Sequence, residues 1–186
     1  KRVFKNALAP FLCVRKDGEL HGRMVQLFTK LKDLDAVNSR GNRSVGRGIE
    51  TPKGKQLLRD FAFTPSCSTT EVLACSLNYE FNTRTLSVTN FDIKNVGFPA
   101  GATHIALTVG LLHFDFDTLE FSLQNSTPLY MNKQYSATSF EMNTDLPEVG
   151  GLAVAVLGMK FYQEVQGTYY LFKDANAVGV EVLGVE

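Results

Sequence analysis

Apolar residues along this chain recur at two different periods, and the change falls near residue 70. Val3, Phe4, Ala7, Leu8, Phe11 and Leu12 repeat at three-to-four spacing, which predicts a short amphipathic helix that Pro10 kinks or ends. Asp17 is placed to cap a second helix, with Leu20, Met24, Leu27, Phe28, Leu31 and Leu34 on one side and a fading end near Val37 and Asn38. Lys16, Arg23, Lys30 and Lys32 fall away from that stripe. Residues 38–55, NSRGNRSVGRGIETPKGK, hold four Gly, one Pro and five cations, and Val45 and Ile49 are their main apolar content. That composition reads as a basic loop or hinge. Leu57, Leu58, Phe61 and Phe63 then restore hydrophobicity.

From Glu71 the period becomes two. Leu73, Cys75, Leu77, Tyr79 and Phe81 alternate with more polar neighbours, predicting a long half-buried strand over 71–81. Asn82-Thr83 turns the chain into a second strand, where Leu86 and Val88 share a face. Gly101 and Thr103 open another, with Ile105, Leu107, Val109 and Leu111 on one side. Its phase flips near Leu112, after which Phe114 and Phe116 alternate with His113, Asp115 and Asp117, and such a flip suggests a bulge. Asp117-Thr118 is a second tight turn, into Leu119, Phe121 and Leu123, while residues 128–140 are polar and fit neither period. Residues 152–162 form a strongly apolar strand, Gln166-Gly167 is a third hairpin turn with its return over 169–172, and Val178, Val180, Val182 and Val185 mark a final strand. Seven or eight strands with turn signals roughly every ten residues predict a mainly β fold, an Ig-like antiparallel β-sandwich preceded by two short helices. The expected division is a basic helical segment and loop, 1–60, and an acidic β-sandwich domain, 61–186.

Charge sharpens that division. The formal net charge is zero, but residues 1–60 hold 14 Lys/Arg against six Asp/Glu, a surplus of +8, and residues 61–186 hold five against 13, a surplus of −8. Such asymmetry calls for an electrostatic partner for each part. At 186 residues, 44% apolar and 20% charged, the chain has a globular composition. No apolar run reaches the ~18–20 residues of a membrane helix. It opens on Lys1-Arg2 without Met, which suggests a processed or trimmed product, and the reading leans toward an extracellular or cell-surface location. Cys13, Cys67 and Cys75 lack metal spacing and are expected as buried small hydrophobes; a bridge between Cys67 and Cys75 would need the 66–70 turn to fold back and is not expected.

Candidate chemistry is sparse. Asp115 and Asp117, at i and i+2, with Glu120 across the turn, are the best acid/base or metal candidates. Calcium asks for six to eight oxygens, and an acidic strand end explains the three without a ligand. A two-carboxylate hydrolase would need a sugar-sized cleft, and the chain has no Trp to line one. His21, His104 and His113 do not assemble by spacing; without a bulge the last two face opposite ways. G-x-S-x-G is absent, and GNRSVGRG lacks the Gly-Lys-Ser/Thr ending of a phosphate loop. Neither an enzyme nor a cofactor is expected.

Arg40, Arg43, Arg47, Lys53 and Lys55, with Arg23, Lys30 and Lys32, could neutralise nucleic-acid phosphates. No aromatic residue lies between Thr29 and Asp60, however, so the interleaving that single-strand binding uses is missing. Self-association competes: a basic surface against the acidic part of another copy makes a head-to-tail contact, and one that does not close builds a filament. The expected contact sets Arg23, Arg40, Arg43 and Arg47 of one copy against Asp115, Asp117 and Glu120 of the next. The terminal strand VGVEVLGVE or the first helix could add to it by pairing or docking. The leading expectation is thus a non-enzymatic structural subunit, and the alternative a β-sandwich binding module for carbohydrate or peptide.

The chain also resembles a family of uncharacterised bacterial proteins of a little over 200 residues. The resemblance rests on HGRM followed by LDAVNSRGNRSV (34–45), LLRDFAF (57–63), PAGATH (99–104), HFDFDTLEF (113–121), and KFYQEVQGTYYLF (160–172) leading to DANAVGVEVLGVE. It implies an additional N-terminal segment in relatives, and structural roles for Arg40-Gly41 and Gln163-Glu164-Val165. It implies no activity.

Overall fold

A computed structural model describes residues 1–14 and 16–186. Among them are six α-helices, α1 (Arg2–Ala7), α2 (Ala9–Leu12), α3 (Leu20–Asp33), α4 (Val45–Ile49), α5 (Pro52–Arg59) and α6 (Thr69–Leu73). Nine strands follow: β1 (Ser76–Glu80), β2 (Thr85–Thr89), β3 (His104–Phe114), β4 (Phe121–Asn125), β5 (Leu129–Asn132), β6 (Phe140–Asn143), β7 (Leu152–Val165), β8 (Thr168–Leu171) and β9 (Val178–Val185). The fold is mainly β, with two antiparallel sheets face to face, as the two-residue period predicts.

The smaller sheet runs β1-β2-β6. In the larger, β3 and β7 form a central ladder from His104↔Tyr162 to Phe114↔Leu152. The outer flank of β3 is shared by β4 and β5, and that of β7 by β8 and β9. Between β4 and β5 the backbone N–H of Ser126 donates to the Val109 carbonyl at 2.8 Å, and its Oγ accepts from Val109 N–H at 3.0 Å. That exchange keeps the bent edge attached.

Two cores lie on opposite faces of the large sheet. Odd-numbered residues of β3 and β7, including Ile105, Leu107, Leu157 and Phe161, pack against Leu86 and Val88 of the small sheet. Even-numbered residues, Leu112, Phe114, Val154 and Val156, pack against Phe4, Leu8, Phe11, Met24 and Leu31 from the helices. This double coverage corrects the expected bulge in β3. Its register is unbroken, and the apparent phase flip marks where the helical layer buries the second face. The irregularity lies instead between β7 and β9, at Ala155/Val156.

The helical segment is richer than two helices and a loop. Pro10 falls in the first turn of α2, where its missing N–H costs no bond, and the break comes at Leu8. Asp17 Oδ1 accepts from the N–H groups of Glu19 and Leu20 at the start of α3. Within 38–55, Ser44 caps α4, and Thr51 caps α5 ahead of Pro52. Gly48 lets α4 lie directly on α3: a Cβ there would sit 1.7 Å from the Leu31 carbonyl oxygen. The expected strand over 71–81 is likewise shorter at its start. Ser68 caps α6, Ala74 turns left-handed at φ 47°, and β1 begins only at Ser76.

The first helices are seated in the large sheet by a notch. Gly110 of β3 and Gly158 of β7 leave room for the Phe11 ring; a methyl would meet it at 2.6 Å and 2.5 Å, respectively. Phe4 adds edge contacts to Phe28 and Phe114 at 5.7 and 5.2 Å.

Candidate functional site

The charged residues singled out from the sequence separate into fixed and loose groups. Arg23 is part of the scaffold: Nη2 lies 2.8 Å from Asp17 Oδ2 and donates to the Phe63 carbonyl at 3.1 Å. That hydrogen bond to the guanidinium is the chief reason the Asp17 carboxyl is held below its usual range. Arg43 donates to the Asp33 carbonyl at 3.4 Å, and Arg47 pairs with Glu50 at 3.2 Å. Arg40 is exposed on the loop between α3 and α4.

This loop is organised by a buried acid that sequence reasoning passed over. Asp35 is 1% exposed and sits at the end of α3. Oδ1 accepts from the N–H groups of Val37 and Asn38, and Oδ2 from Asn38 Nδ2 and Ser44 N–H, at 2.8–3.0 Å. The Asn38 side-chain amide and then the Ser44 N–H hold its carboxyl far below the ordinary carboxylate value. The signal was an Asp just past the last periodic apolar residue, with Asn three positions on.

Asp115 and Asp117 lie beyond the end of β3, not on its face. Asp115 Oδ1 accepts from the N–H groups of Asp117 (2.7 Å) and Thr118 (3.1 Å), which lowers its pKa, the Thr118 bond first. Its N–H donates to the Glu120 carbonyl and closes the turn, with Leu119 at φ 62°. The acidic turn and α4 come together in one protomer: Gly46, Arg47, Lys55, Asp115, Asp117 and Glu186 line a cavity of about 460 Å³. Glu120 and Arg40 stand outside it.

The ion pairs decide how far these charges cancel. Among the described residues they are Arg23 with Asp17, Arg23 with Glu19 and Arg47 with Glu50, all inside the basic segment. None uses a carboxylate from residues 61–186.

The histidines remain apart. His21 lies by Lys1 Nζ (3.2 Å), His104 Nδ1 by Thr103 Oγ1 (2.9 Å), and His113 Nδ1 by the Val149 carbonyl (2.9 Å). Among the described residues no three His, Cys, Asp or Glu side chains are placed to hold a metal ion, and no helix is long and apolar enough to cross a membrane. Cys13 is exposed rather than buried because it follows the last turn of α2. Cys67 is buried and its Sγ donates to the Asn176 carbonyl. Burial pushes up the pKa of the half-buried Cys75 thiol.

One further surface was invisible as a motif. Tyr130 of β5, Tyr162 of β7 and Tyr169 of β8 form a triangle, with centroids 4.9, 5.5 and 6.2 Å apart, and His104 of β3 meets the Tyr169 ring edge-on at 5.0 Å. Burial, with the neighbouring Tyr130 phenol, pushes the Tyr162 hydroxyl up to about 12. These residues are scattered over 66 positions, and only the pairing of the strands brings them together.

No protein-family profile matches the chain, and no curated protein or solved structure shows significant similarity to it.

Proposed function

We propose that this is a non-enzymatic structural protein whose copies assemble head to tail, as a filament or surface-appendage subunit. The observation that supports it is the uncompensated charge. Among the described residues, none of the thirteen Asp and Glu of residues 61–186 forms an ion pair, and most cations of residues 1–60 form none either. Opposite surpluses on one chain attract between copies at separations shorter than the screening length.

Arg40 and Glu120 are the leading contact residues, because among the described residues neither forms an ion pair and neither lines the cavity. Arg43, Arg47, Asp115 and Asp117 flank them, while Arg23 supports the fold. Exchange of the first helix has no part in this reading, since Phe4, Leu8 and Phe11 are buried in their own protomer.

The test is sedimentation velocity with negative-stain imaging at ~50 mM and ~500 mM salt, conditions that change the screening length severalfold. Concentration-dependent filaments at low salt that dissolve at high salt are expected, with Arg40→Glu preventing them and Arg40→Glu/Glu120→Arg restoring them. A monomer at every concentration refutes assembly. A discrete dimer refutes the open filament and points to a two-fold contact across the mixed-charge cavity.

A further inference from the structure

The helical layer covers only part of the large sheet. Lys160 Nζ donates to the Pro10 carbonyl at 3.3 Å and marks where α2 ends on the sheet. Beyond it the same face continues uncovered. The strand register puts Asn132, His104, Tyr162 and Leu171 in one row of this face, and Tyr130, Ala106 and Lys160 in the next. Glu164 and Tyr169 form a third. Three tyrosines therefore stand together among a neutral amide, an imidazole and a carboxylate.

We propose that this patch binds carbohydrate, taking one neutral sugar ring on Tyr130 and Tyr169, with Tyr162 beneath them and His104, Asn132 and Glu164 reaching the ring hydroxyls. Size argues for a small ligand. Tyr130 and Tyr169 are 42% and 43% exposed. For aromatic side chains of about 150–250 Å², this amounts to ~200 Å² together at most. A stable protein interface needs about 800 Å² per partner, so the aromatic patch alone is several times too small for one.

The polar rim argues for a sugar over a purely apolar ligand. Tyrosine presents a flat apolar face with a hydroxyl at its edge, which suits a ring whose faces carry C–H groups and whose rim carries hydroxyls. Charge argues against a nucleic-acid base. Stacked single strands need cations along the backbone, and the one cation in these rows, Lys160, is half-buried and spent on Pro10. The surface is a property of the single protomer and does not depend on assembly.

Tyr170 supplies the control. It is the next residue and is 57% exposed, but it pairs with Gln163 and so faces the other side of the sheet. The experiment is NMR titration of the intact chain with maltotriose, cellotriose, xylotriose and chitotriose, read from the tyrosine ring signals. Saturable shifts with at least one trisaccharide are expected. Tyr169→Ala and Tyr130→Ala should each weaken that binding roughly tenfold, a loss of about 1.4 kcal/mol, while Tyr170→Ala leaves it unchanged. Both substituted side chains are exposed, and far-UV circular dichroism checks that each variant is folded. No saturable shift with any of the four at ~10 mM, a concentration above the Kd of even weak binding of about −4 kcal/mol, overturns the proposal. So does binding that survives both substitutions, or that Tyr170→Ala weakens equally.

Discussion

Removing the Phe11 ring tests whether the helical layer is seated by the two-glycine notch. Phe11 is 2% exposed and its ring fills the space that Gly110 and Gly158 leave open. Burying an aromatic side chain of about 200 Å² at ~25 cal/mol per Å² gives an upper bound near 5 kcal/mol. Measured Phe→Ala losses of 3–5 kcal/mol include the residual cavity. Phe11→Ala should therefore cost about 4 kcal/mol in urea unfolding followed by far-UV circular dichroism. At roughly 2–4 °C per kcal/mol for a chain of this size, the melting temperature should fall by ~8–16 °C. Gly158→Ala attacks the same contact from the sheet, placing a methyl 2.5 Å from Phe11 Cδ1. Overpacking of this kind costs about 1–3 kcal/mol. The two losses must not add, because the methyl has no ring to strike once Phe11 is gone. The double variant should be at least ~1 kcal/mol more stable than the sum of the single effects predicts. Additivity within ~0.5 kcal/mol, or a loss below ~1 kcal/mol for Phe11→Ala, would show that the ring is not held in the notch.

Two other variants probe the polar contacts. Asp35→Asn keeps the shape but replaces one acceptor oxygen with a donor facing N–H groups, so it should lower the melting temperature and remove hydrogen-exchange protection at Val37, Asn38 and Ser44. Because the folded Asp35 and Asp17 carboxyls lie below the ordinary 3.8, their stabilisation is present above that value and is lost as pH falls below it; Asp35→Asn should flatten the acid limb of a stability–pH curve. Glu181 accepts from Thr69 Oγ1, Thr70 Oγ1 and Thr70 N–H, tying α6 to β9, and Glu181→Ala should cost about 2–3 kcal/mol in urea unfolding.

The sequence carried the local pattern well. Hairpin turns at Asn82-Thr83, Asp117-Thr118 and Gln166-Gly167, and the apolar stripe of α3, are all formed as their spacing predicts. Period failed wherever a second layer changed what a position faces. Leu112 and Phe114 looked out of phase because the helices cover them, and Leu73 looked like strand because its apolar spacing continued past the Ser68 cap. Residues 129–132 were unreadable, since only one of the four side chains is fully buried in an edge strand. Arg23 looked like surface charge because its partners Asp17 and Phe63 are six and 40 positions away. The tyrosine patch depends on pairings that no single stretch of sequence records.

The ladder between β3 and β7, with β9 on its flank, also sets an order of events during synthesis. The helices α1 and α3 emerge well before the floor they pack on, which includes Val154, Val156, Val180 and Val182 from much later in the chain. Thr64 shows the same span, exchanging hydrogen bonds with the Val180 backbone 116 residues later. At about 5–20 residues per second, the apolar faces of α1 and α3 wait roughly 6–36 s for their floor. In that interval Phe4, Leu8, Phe11 and Leu31 are open to other chains. A nascent chain stalled before β7 is therefore a sticky helical fragment, and chaperones that hold apolar helices should engage it until the final strand arrives.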